Sequence, residues 1–260
     1  MTYRPLKICV LNLSGNVGKS TLAVHMLNSM RPKSKFISVE SVNSSAATRI
    51  EGLSPEEIKA SRFDDIYRHV LEFDDLIVDV GASNITDFMS GIARYKSAIR
   101  EFDVFVVPTV PSIKQQEDTV STIDWLHTLG IDPKKVRVLF NQYDGRESVD
   151  VLYSYVKGYA LDDGAKKASW GNDAVVESND VFEMVKRMGR TVMQAAGDPA
   201  DYRAARVKAQ ESGDRAGINA AIDGQITRDL ASSALDNLNA AYAKLLAPFE
   251  VPQTKEAVHV

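Results

Sequence analysis

Residues 7–21 read Lys-Ile-Cys-Val-Leu-Asn-Leu-Ser-Gly-Asn-Val-Gly-Lys-Ser-Thr, and this segment contains the strongest structural signal in the chain. Residues 7–13 form a nearly continuous apolar run, which predicts a short buried strand. Gly15 and Gly18 predict a turn directly after it. From Lys19 onward the apolar residues recur at helical spacing until Pro32 stops the pattern. We therefore expect a strand, a glycine loop and a helix in succession.

The loop has the chemistry of a phosphate cradle. Successive backbone N–H groups and a helix N-terminus offer partial positive charge to phosphate oxygens, and Gly18 permits close approach. Lys19 would neutralise the β and γ phosphates, and the Ser20 hydroxyl would be a ligand to Mg²⁺. The full P-loop pattern requires glycine at Leu13, so only Gly18-Lys19-Ser20 matches strictly. The predicted cofactor-binding residues of this loop are Gly15, Asn16, Val17, Gly18, Lys19, Ser20 and Thr21.

Further apolar runs alternate with helix-length segments. The runs are residues 36–39, 76–80, 104–107, 136–140 and 174–176, and the helical segments include residues 54–70, 115–129 and 181–193. Such alternation predicts a parallel sheet, and runs that are apolar on both pleat faces predict helices on both sides. We expect an α/β fold of the P-loop NTPase type, a three-layer α/β/α sandwich with a mostly parallel central sheet.

The last third of the chain has a different pattern. Residues 198–224 contain few large apolar side chains, which predicts an exposed or frayed helix. From Ile226 apolar residues recur every four positions, which predicts an amphipathic helix that packs on the core and ends before Pro248. We expect one nucleotide-binding domain over residues 1–250, with residues 198–246 as a C-terminal helical extension and residues 251–260 as a flexible tail.

Composition excludes several classes of protein. With 44% hydrophobic and 25% charged residues, the chain belongs to the soluble globular class. No apolar run approaches the roughly 18 residues that span a bilayer, and residues 1–7 lack a signal-peptide pattern, so we expect a cytoplasmic protein. The formal net charge of -4 is not that of a dedicated nucleic-acid binder. Cys9, the only cysteine, lies in an apolar run that predicts a buried, inert thiol.

The loop and five later segments resemble the ParA/MinD family of ATPases, whose deviant Walker A loop reads Lys-Gly-Gly-x-Gly-Lys-[Ser/Thr]. The later segments are residues 38–43, 76–83, 106–109, 138–141 and 175–189, and the likeness extends over residues 6–195. Within the family the chain looks most similar to StbB-like plasmid proteins, through Val-Asn after Glu40 and the run Asp-Val-Gly-Ala-Ser at residues 79–83. These proteins are associated with stable plasmid inheritance and conjugative transfer.

The resemblance implies ATP or ADP and Mg²⁺ as cofactors and a role for each site residue. Asp79 ends a predicted strand, where it would hold Mg²⁺ together with Ser20. Glu40 and Ser38 replace the two acidic residues of the family's Asp-x-Asp, and Glu40 would position the attacking water. Asn141 would contact the adenine. The predicted catalytic residues are Lys19, Glu40 and Asp79.

One departure from the family concerns turnover. Ser14 occupies the place of the signature lysine, which in the family reaches across a nucleotide-sandwich dimer to the partner's phosphates. A serine hydroxyl supplies no positive charge, so either another cation substitutes or the dimer and its hydrolysis are weakened. We expect an ATP- and Mg²⁺-dependent switch in plasmid partition, stability or conjugation, with slow or partner-stimulated hydrolysis. A nucleotide-binding scaffold without turnover is an alternative, as is a metabolic ligase or small-molecule kinase on the same fold.

The resemblance also implies partners. These are a second copy of the chain in a nucleotide-dependent homodimer, a plasmid-encoded DNA-binding adaptor protein and a non-specific contact with DNA. Basic residues at positions 186–190 and 203–215 suit DNA, but interspersed acidic residues also fit a solvated helix face. The terminal helix has only Arg228 and Lys244 on its polar face, so we expect no membrane contact.

The identity of the base has a second interpretation. Asn141-Gln142-Tyr143-Asp144 resembles the Asn-Lys-x-Asp motif with which related GTPases bind guanine. Glutamine replaces the lysine, so we favour adenine and predict that Asp144 turns the chain. A GTPase remains the alternative.

Overall fold

The computed structural model of the chain describes residues 4–40, 50–162, 167–169 and 174–250. Its strands are β1 Lys7–Val10, β2 Lys35–Val39, β3 Glu56–Ile58, β4 Leu76–Val80, β5 Val104–Thr109, β6 Val136–Tyr143 and β7 Val175–Glu177. These strands form one sheet in the order β3-β2-β4-β1-β5-β6-β7, and every neighbouring pair is parallel. The carboxyl ends of the strands therefore meet at one edge of the sheet.

Helices connect the strands. They are α1 Lys19–Leu22, α2 Phe63–Glu72, α3 Ile85–Arg94, α4 Ala98–Glu101, α5 Ile113–Thr128, α6 Val149–Leu152, α7 Ser154–Asp162, α8 Val181–Met188, α9 Val192–Ala196, α10 Tyr202–Glu211 and α11 Arg215–Glu250. Short 3₁₀ turns lie at Ala60–Arg62, Ala82–Asn84 and Pro133–Lys135, and α1 continues into a π-helical segment, Ala23–Asn28.

Apolar side chains cover both faces of the sheet. Val78 points to a layer that contains Phe88 of α3 and Ile123 of α5. Ile77, the neighbouring residue of β4, points to the opposite layer, which contains Leu27 of the π-helical segment and Leu238 of α11. This alternation follows from the two-residue repeat of a strand, and it confirms the predicted three-layer α/β/α sandwich. Cys9 is fully buried as predicted, and burial raises the pKa of its thiol.

Two predicted helices differ in the structure. Residues 54–70 were expected to be helical, but Glu56–Ile58 form the edge strand β3, which pairs with β2, and the α-helix begins only at Phe63. Three residues are too few to show a strand period in the sequence. Residues 181–193 are divided between α8 and α9 because Gly189 adopts a left-handed φ of 64° and Thr191 begins α9 with a capping box.

The last helix continues beyond its predicted end. It includes Pro248, which has no N–H and therefore leaves the Lys244 carbonyl without an intrahelical donor. Buried Arg137 of β6 donates from Nη2 to that oxygen at 3.5 Å and from Nε to the Leu245 carbonyl at 3.0 Å. An arginine from the sheet thus supplies a donor to the carbonyl that the proline leaves without one.

The C-terminal extension is helical, as expected. Within α10 only Ala209 is buried, which agrees with the exposed helix predicted there. Leu238, Tyr242 and Leu246 of α11 are buried against the core, whereas Ile226 is 46% exposed and does not belong to the packed stripe. The predicted tail at residues 251–260 and residues 41–43 of the family-like segment lie outside the described residues. Within the described ranges, no helix is long and apolar enough to cross a membrane.

Candidate phosphate-binding site

The glycine loop lies at the carboxyl edge of the sheet, between β1 and α1. Gly18 adopts φ 85° and ψ 20° and is the N-cap of α1. A β-carbon at this position would overlap the side-chain amide of Asn141 in β6. Glycine is therefore required both by the left-handed backbone and by the close approach of β6.

An open cleft of about 250 Å³ lies against the loop. It is lined by Gly15, Asn16, Gly18, Lys19, Ser20, Thr21, Glu40, Gly81 and Ala82. Val17, also predicted in the cradle, is fully buried and does not line the cleft. The structure thus brings Glu40 to the same cleft as the loop residues, although it is about twenty residues away in the chain.

Lys19 supplies positive charge to the site. Its side chain is buried, and Nζ donates a hydrogen bond to the Ser14 carbonyl oxygen at 2.5 Å. Burial lowers the pKa of the Lys19 ammonium to about 8, while the carboxylates of Asp79 and Glu40 oppose this shift. A phosphate oxygen would be a stronger acceptor than the carbonyl, because it carries negative charge. The ammonium is positioned to exchange one acceptor for the other.

Asp79 is the next-to-last residue of β4. It is only 2% exposed, and the Ser20 side chain forms a hydrogen bond with it. Burial raises the pKa of this carboxyl to about 6, although Ser20 and Lys19 pull the pKa down. Its Oδ1 atom has no hydrogen-bond partner among the described residues. The carboxylate is therefore incompletely satisfied by the residues that the structure describes.

These groups fit Mg²⁺. A carboxylate oxygen without a partner, next to a serine hydroxyl, provides the hard oxygen ligands that this ion prefers. In the described part of the chain, no cluster of three or more His, Cys, Asp or Glu side chains has the arrangement of a metal site. A magnesium ion here would need phosphate oxygens and water as its other ligands, which is its usual mode of binding.

Glu40 follows β2 and lies beside Gly81. A β-carbon on Gly81 would come within 2.9 Å of the Glu40 Oε2 atom. Any larger residue at position 81 would therefore push the Glu40 carboxylate out of its present position. The Gly81 N–H donates to the Val39 carbonyl at 3.0 Å and ties the loop after β4 to the end of β2. Burial raises the pKa of Glu40, and the nearby Lys19 ammonium lowers it. The carboxylate thus faces the same cleft as the lysine.

Sequence patterns did not predict how the first half of the loop is held. The Asn12 side chain is fully buried; its Oδ1 accepts the Ser14 N–H, and its Nδ2 donates to the Pro108 carbonyl and to Thr119 Oγ1, each at 2.8 Å. Thr122 Oγ1 accepts the Leu13 N–H at 3.0 Å. The available signal was a polar residue within an apolar strand run. Ser14 itself is only 5% exposed.

Asn141 reaches the loop from the end of β6. Its Nδ2 donates to the Val17 carbonyl at 3.0 Å, and its own carbonyl accepts the Tyr153 hydroxyl at 2.8 Å. Asp144 is engaged elsewhere: its carboxylate accepts the Arg146 N–H at 3.0 Å and pairs with the guanidinium at 3.5 Å. This contact agrees with the prediction that Asp144 turns the chain.

Part of the basic cluster considered for DNA is paired with acidic side chains. Arg190 forms an ion pair with Asp198 at 2.5 Å, and Lys186 lies 3.7 Å from Glu183. Hydrogen bonding to Asp198 raises the pKa of Arg190, and the arginine lowers the pKa of Asp198 to about 2. These pairs reduce the net positive charge that this surface offers to a phosphate backbone.

Comparison with known proteins gives the following result. The family model of the CobQ/CobB/MinD/ParA nucleotide binding domain matches residues 8–190. No curated protein matches the chain in sequence. Among solved structures, the chain is similar to the MinD cell division protein of Aquifex aeolicus, with 14% identity, a TM-score of 0.54 and coverage of 94% of this chain and 98% of that one.

Two structures from Pyrococcus species are also similar. The septum site-determining protein MinD of Pyrococcus horikoshii, complexed with Mg-ADP, is 13% identical with a TM-score of 0.52, and the match covers 94% of this chain and 98% of that one. The cell division ATPase MinD of Pyrococcus furiosus is 11% identical with a TM-score of 0.51, over 92% and 99% of the two chains. At such identities these likenesses show a common fold.

Proposed function

The chain belongs to the CobQ/CobB/MinD/ParA nucleotide-binding domain family, and from this membership we propose that it is an ATP- and Mg²⁺-dependent molecular switch of the ParA/MinD type. One domain over residues 1–250 would carry this function, with slow or partner-stimulated hydrolysis. The observation that carries the proposal is the Asp79 Oδ1 atom, buried and without a described partner, beside Ser20 and Lys19. A carboxylate in this state, at the base of a phosphate cradle, is suited to a nucleotide-bound cation.

Each residue of the cleft has a role in this proposal. The backbone N–H groups between Gly15 and Gly18, together with Lys19, hold the phosphates. Ser20 and Asp79 hold Mg²⁺, which when bound neutralises charge on the β and γ phosphates. Glu40 positions the attacking water, because its carboxylate faces the same cleft as Lys19.

Adenine is the proposed base. Asn141 lies against the loop, where its side-chain amide could exchange the Val17 carbonyl for a base edge. The Asp144 carboxylate, which a guanine site would need free, is bound to Arg146. A GTPase would require this turn to open, so the geometry favours ATP over GTP.

The proposed partners follow from the family resemblance. They are a second copy of the chain in the nucleotide-bound state and a plasmid-encoded DNA-binding adaptor that stimulates hydrolysis. The StbB-like run at residues 79–83 supports a role in plasmid stability, partition or conjugation. A non-specific contact with DNA is also proposed, and Arg190 would contribute little to it because this arginine is paired with Asp198.

Thermal unfolding with and without Mg-ADP tests the proposal. For the native chain, a saturating ligand should raise the melting temperature by about 5 °C. Lys19→Ala should abolish this rise, because the phosphates lose their cation. Lys134→Ala provides the matched control, since this exposed lysine precedes β6 at the opposite edge of the sheet. Equal stabilisation of all three proteins would reject the assignment of the loop.

A nucleotide-bound scaffold without turnover is the second candidate. Ser14 favours it, because this residue is uncharged and its side chain is buried, so it cannot reach a partner's phosphates. Phosphate release measured with ATP alone, with DNA and with an adaptor separates the two candidates. Stimulated release supports the switch, whereas bound nucleotide without release under every condition supports the scaffold.

A further inference from the structure

Four buried side-chain atoms have no hydrogen-bond partner among the described residues: Asp79 Oδ1, Ser38 Oγ, His69 Nδ1 and Gln115 Oε1. Two of them, Oδ1 of Asp79 and Oγ of Ser38, belong to paired residues of neighbouring strands. Asp79 is 2% exposed and Ser38 is 0% exposed. Leaving a buried polar group unsatisfied costs about 1–3 kcal/mol, so native proteins rarely do so without water, an ion or a functional reason. Two such atoms close together call for one common explanation.

The register of the sheet places the two residues side by side. β2 and β4 are neighbours, and Ser38 is the parallel partner of Asp79. Neighbouring strands lie about 4.8 Å apart, and paired residues point to the same face. Ile37 and Val39, on either side of Ser38, belong to the opposite apolar layer. The Ser38 hydroxyl therefore points to the face on which Asp79 meets Ser20.

A direct bond does not explain this pair. Because each atom is unsatisfied within the described structure, the hydroxyl does not donate to the carboxylate oxygen beside it. A water molecule between them would satisfy both atoms, and buried waters typically make about three hydrogen bonds. Magnesium usually keeps several waters when it binds to one or two carboxylates. The third partner of such a water would then be the metal ion.

We propose that Ser38 is a positioning residue of the Mg²⁺ site, whose hydroxyl holds a metal-bound water next to Asp79. This inference rests on the proposed function, since it requires Mg²⁺ at Ser20 and Asp79. Groups that hold the ligands of a metal orient them and change metal affinity by about 10- to 100-fold. A hydroxyl does this without placing a second negative charge beside the buried carboxylate.

Ser38→Ala separates this role from simple packing. If Ser38 only fills space, removal of an unsatisfied hydroxyl leaves Mg²⁺ binding unchanged. If Ser38 holds a metal-bound water, the nucleotide-free variant is at least as stable as the native chain, yet the Mg²⁺ concentration for half-maximal stabilisation by ADP rises about tenfold. ADP binding in EDTA stays the same. Ser90→Ala is the control, since its exposed hydroxyl donates to the Thr86 carbonyl within α3.

In the experiment, the full chain is titrated with MgCl₂ at saturating ADP, and the melting temperature is measured at each MgCl₂ concentration. A tenfold shift of the midpoint in Ser38→Ala and none in Ser90→Ala supports the inference. Identical midpoints in both variants and the native chain overturn it and leave the proposed function intact. If the native chain shows no Mg²⁺-dependent stabilisation, the proposed function and the inference both fail.

Discussion

Buried charges occupy both edges of the sheet, and the two edges satisfy them differently. At the amino edge, Arg137 donates to two carbonyls of α11, and Arg31 donates to the Tyr242 hydroxyl at 2.9 Å and to Asp75 at 3.0 Å. At the carboxyl edge, Asp79 and Ser38 keep atoms without a described partner. Buried polar groups are normally satisfied, and exceptions concentrate where a ligand binds. The amino edge thus stabilises the fold, whereas the carboxyl edge is prepared for a ligand.

The largest effect is expected from removing a satisfied charge at the amino edge. Arg137→Met should lower the free energy of unfolding by about 4 kcal/mol, because the Lys244 carbonyl loses its side-chain donor, the Leu245 carbonyl loses a second donor and the Ser169 hydroxyl loses its partner. Urea unfolding measures this loss. Mg-ADP should still stabilise the variant as it stabilises the native chain, because the phosphate loop lies at the other edge.

A second substitution sharpens this test. Pro248→Ala restores an N–H that can donate to the Lys244 carbonyl within α11. In this background Arg137→Met should be less destabilising, by about 1 kcal/mol. Strict additivity of the two changes would show that Arg137 does not substitute for the missing proline donor.

The next effect concerns an unsatisfied charge at the carboxyl edge. The folded-state pKa of Asp79 is raised to about 6 from an ordinary value of 3.8, so the folded chain binds a proton more tightly than the unfolded chain. This residue's contribution to stability is therefore present below pH 4 and is lost as the pH rises through 6, by up to about 3 kcal/mol. Asp79→Asn should remove that part of the pH dependence.

Unfolding free energies of the native chain and Asp79→Asn, both without nucleotide, test this between pH 4 and 7.5. The variant should gain stability relative to the native chain as the pH rises, and it should also lose stabilisation by Mg²⁺. Parallel pH profiles for the two proteins would mean that ionisation of the buried Asp79 carboxyl does not lower the free energy of unfolding. The two edges would then differ in hydrogen bonding alone.

Local patterns predicted most of the fold. The strand before Gly15, the helix after Lys19 and the core strands of the sheet are each encoded by residues that are close together in the sequence. Their sequence patterns were therefore sufficient to predict them. The end of α11 depends on a distant residue, because Arg137, more than a hundred residues earlier, donates to the Lys244 carbonyl that Pro248 leaves without its helical donor. The edge strand β3 has too few residues to show a period, and it exists because β2 offers an unpaired side.

The site was predictable to a similar extent. Motif spacing identified Lys19, Ser20 and Asp79, and the structure places them together. Ser38 entered the sequence argument only as a departure from Asp-x-Asp, because its lack of a partner and its register with Asp79 are properties of the folded sheet. The roles of Glu40 in positioning water and of Asn141 in contacting a base remain predictions.

The smallest effect is expected from a polar group that lies near the carboxyl edge but is satisfied by the protein. It tests whether such a group contributes to ligand binding or only to the stability of the fold. Thr122 lies in α5 near the carboxyl edge, yet its hydroxyl is fully used: it accepts the Leu13 N–H at 3.0 Å and donates to the Asp118 carbonyl at 2.8 Å. Thr122→Val keeps the shape and removes the acceptor. The variant should lose about 1 kcal/mol of stability, and Mg-ADP should bind about threefold more weakly because the start of the loop is less restrained.

Thr128→Val is the matched control, because its hydroxyl makes the same bond within α5, to the Asp124 carbonyl at 2.9 Å, but is exposed. Isothermal titration with Mg-ADP and urea unfolding of both variants give the two quantities. A loss of stability without a loss of affinity would assign Thr122 to the fold alone. Loss of both, confined to Thr122→Val, would show that satisfied polar groups at the carboxyl edge hold the loop in shape. The unsatisfied atoms of Asp79 and Ser38 would then be the part of that edge reserved for the ligand.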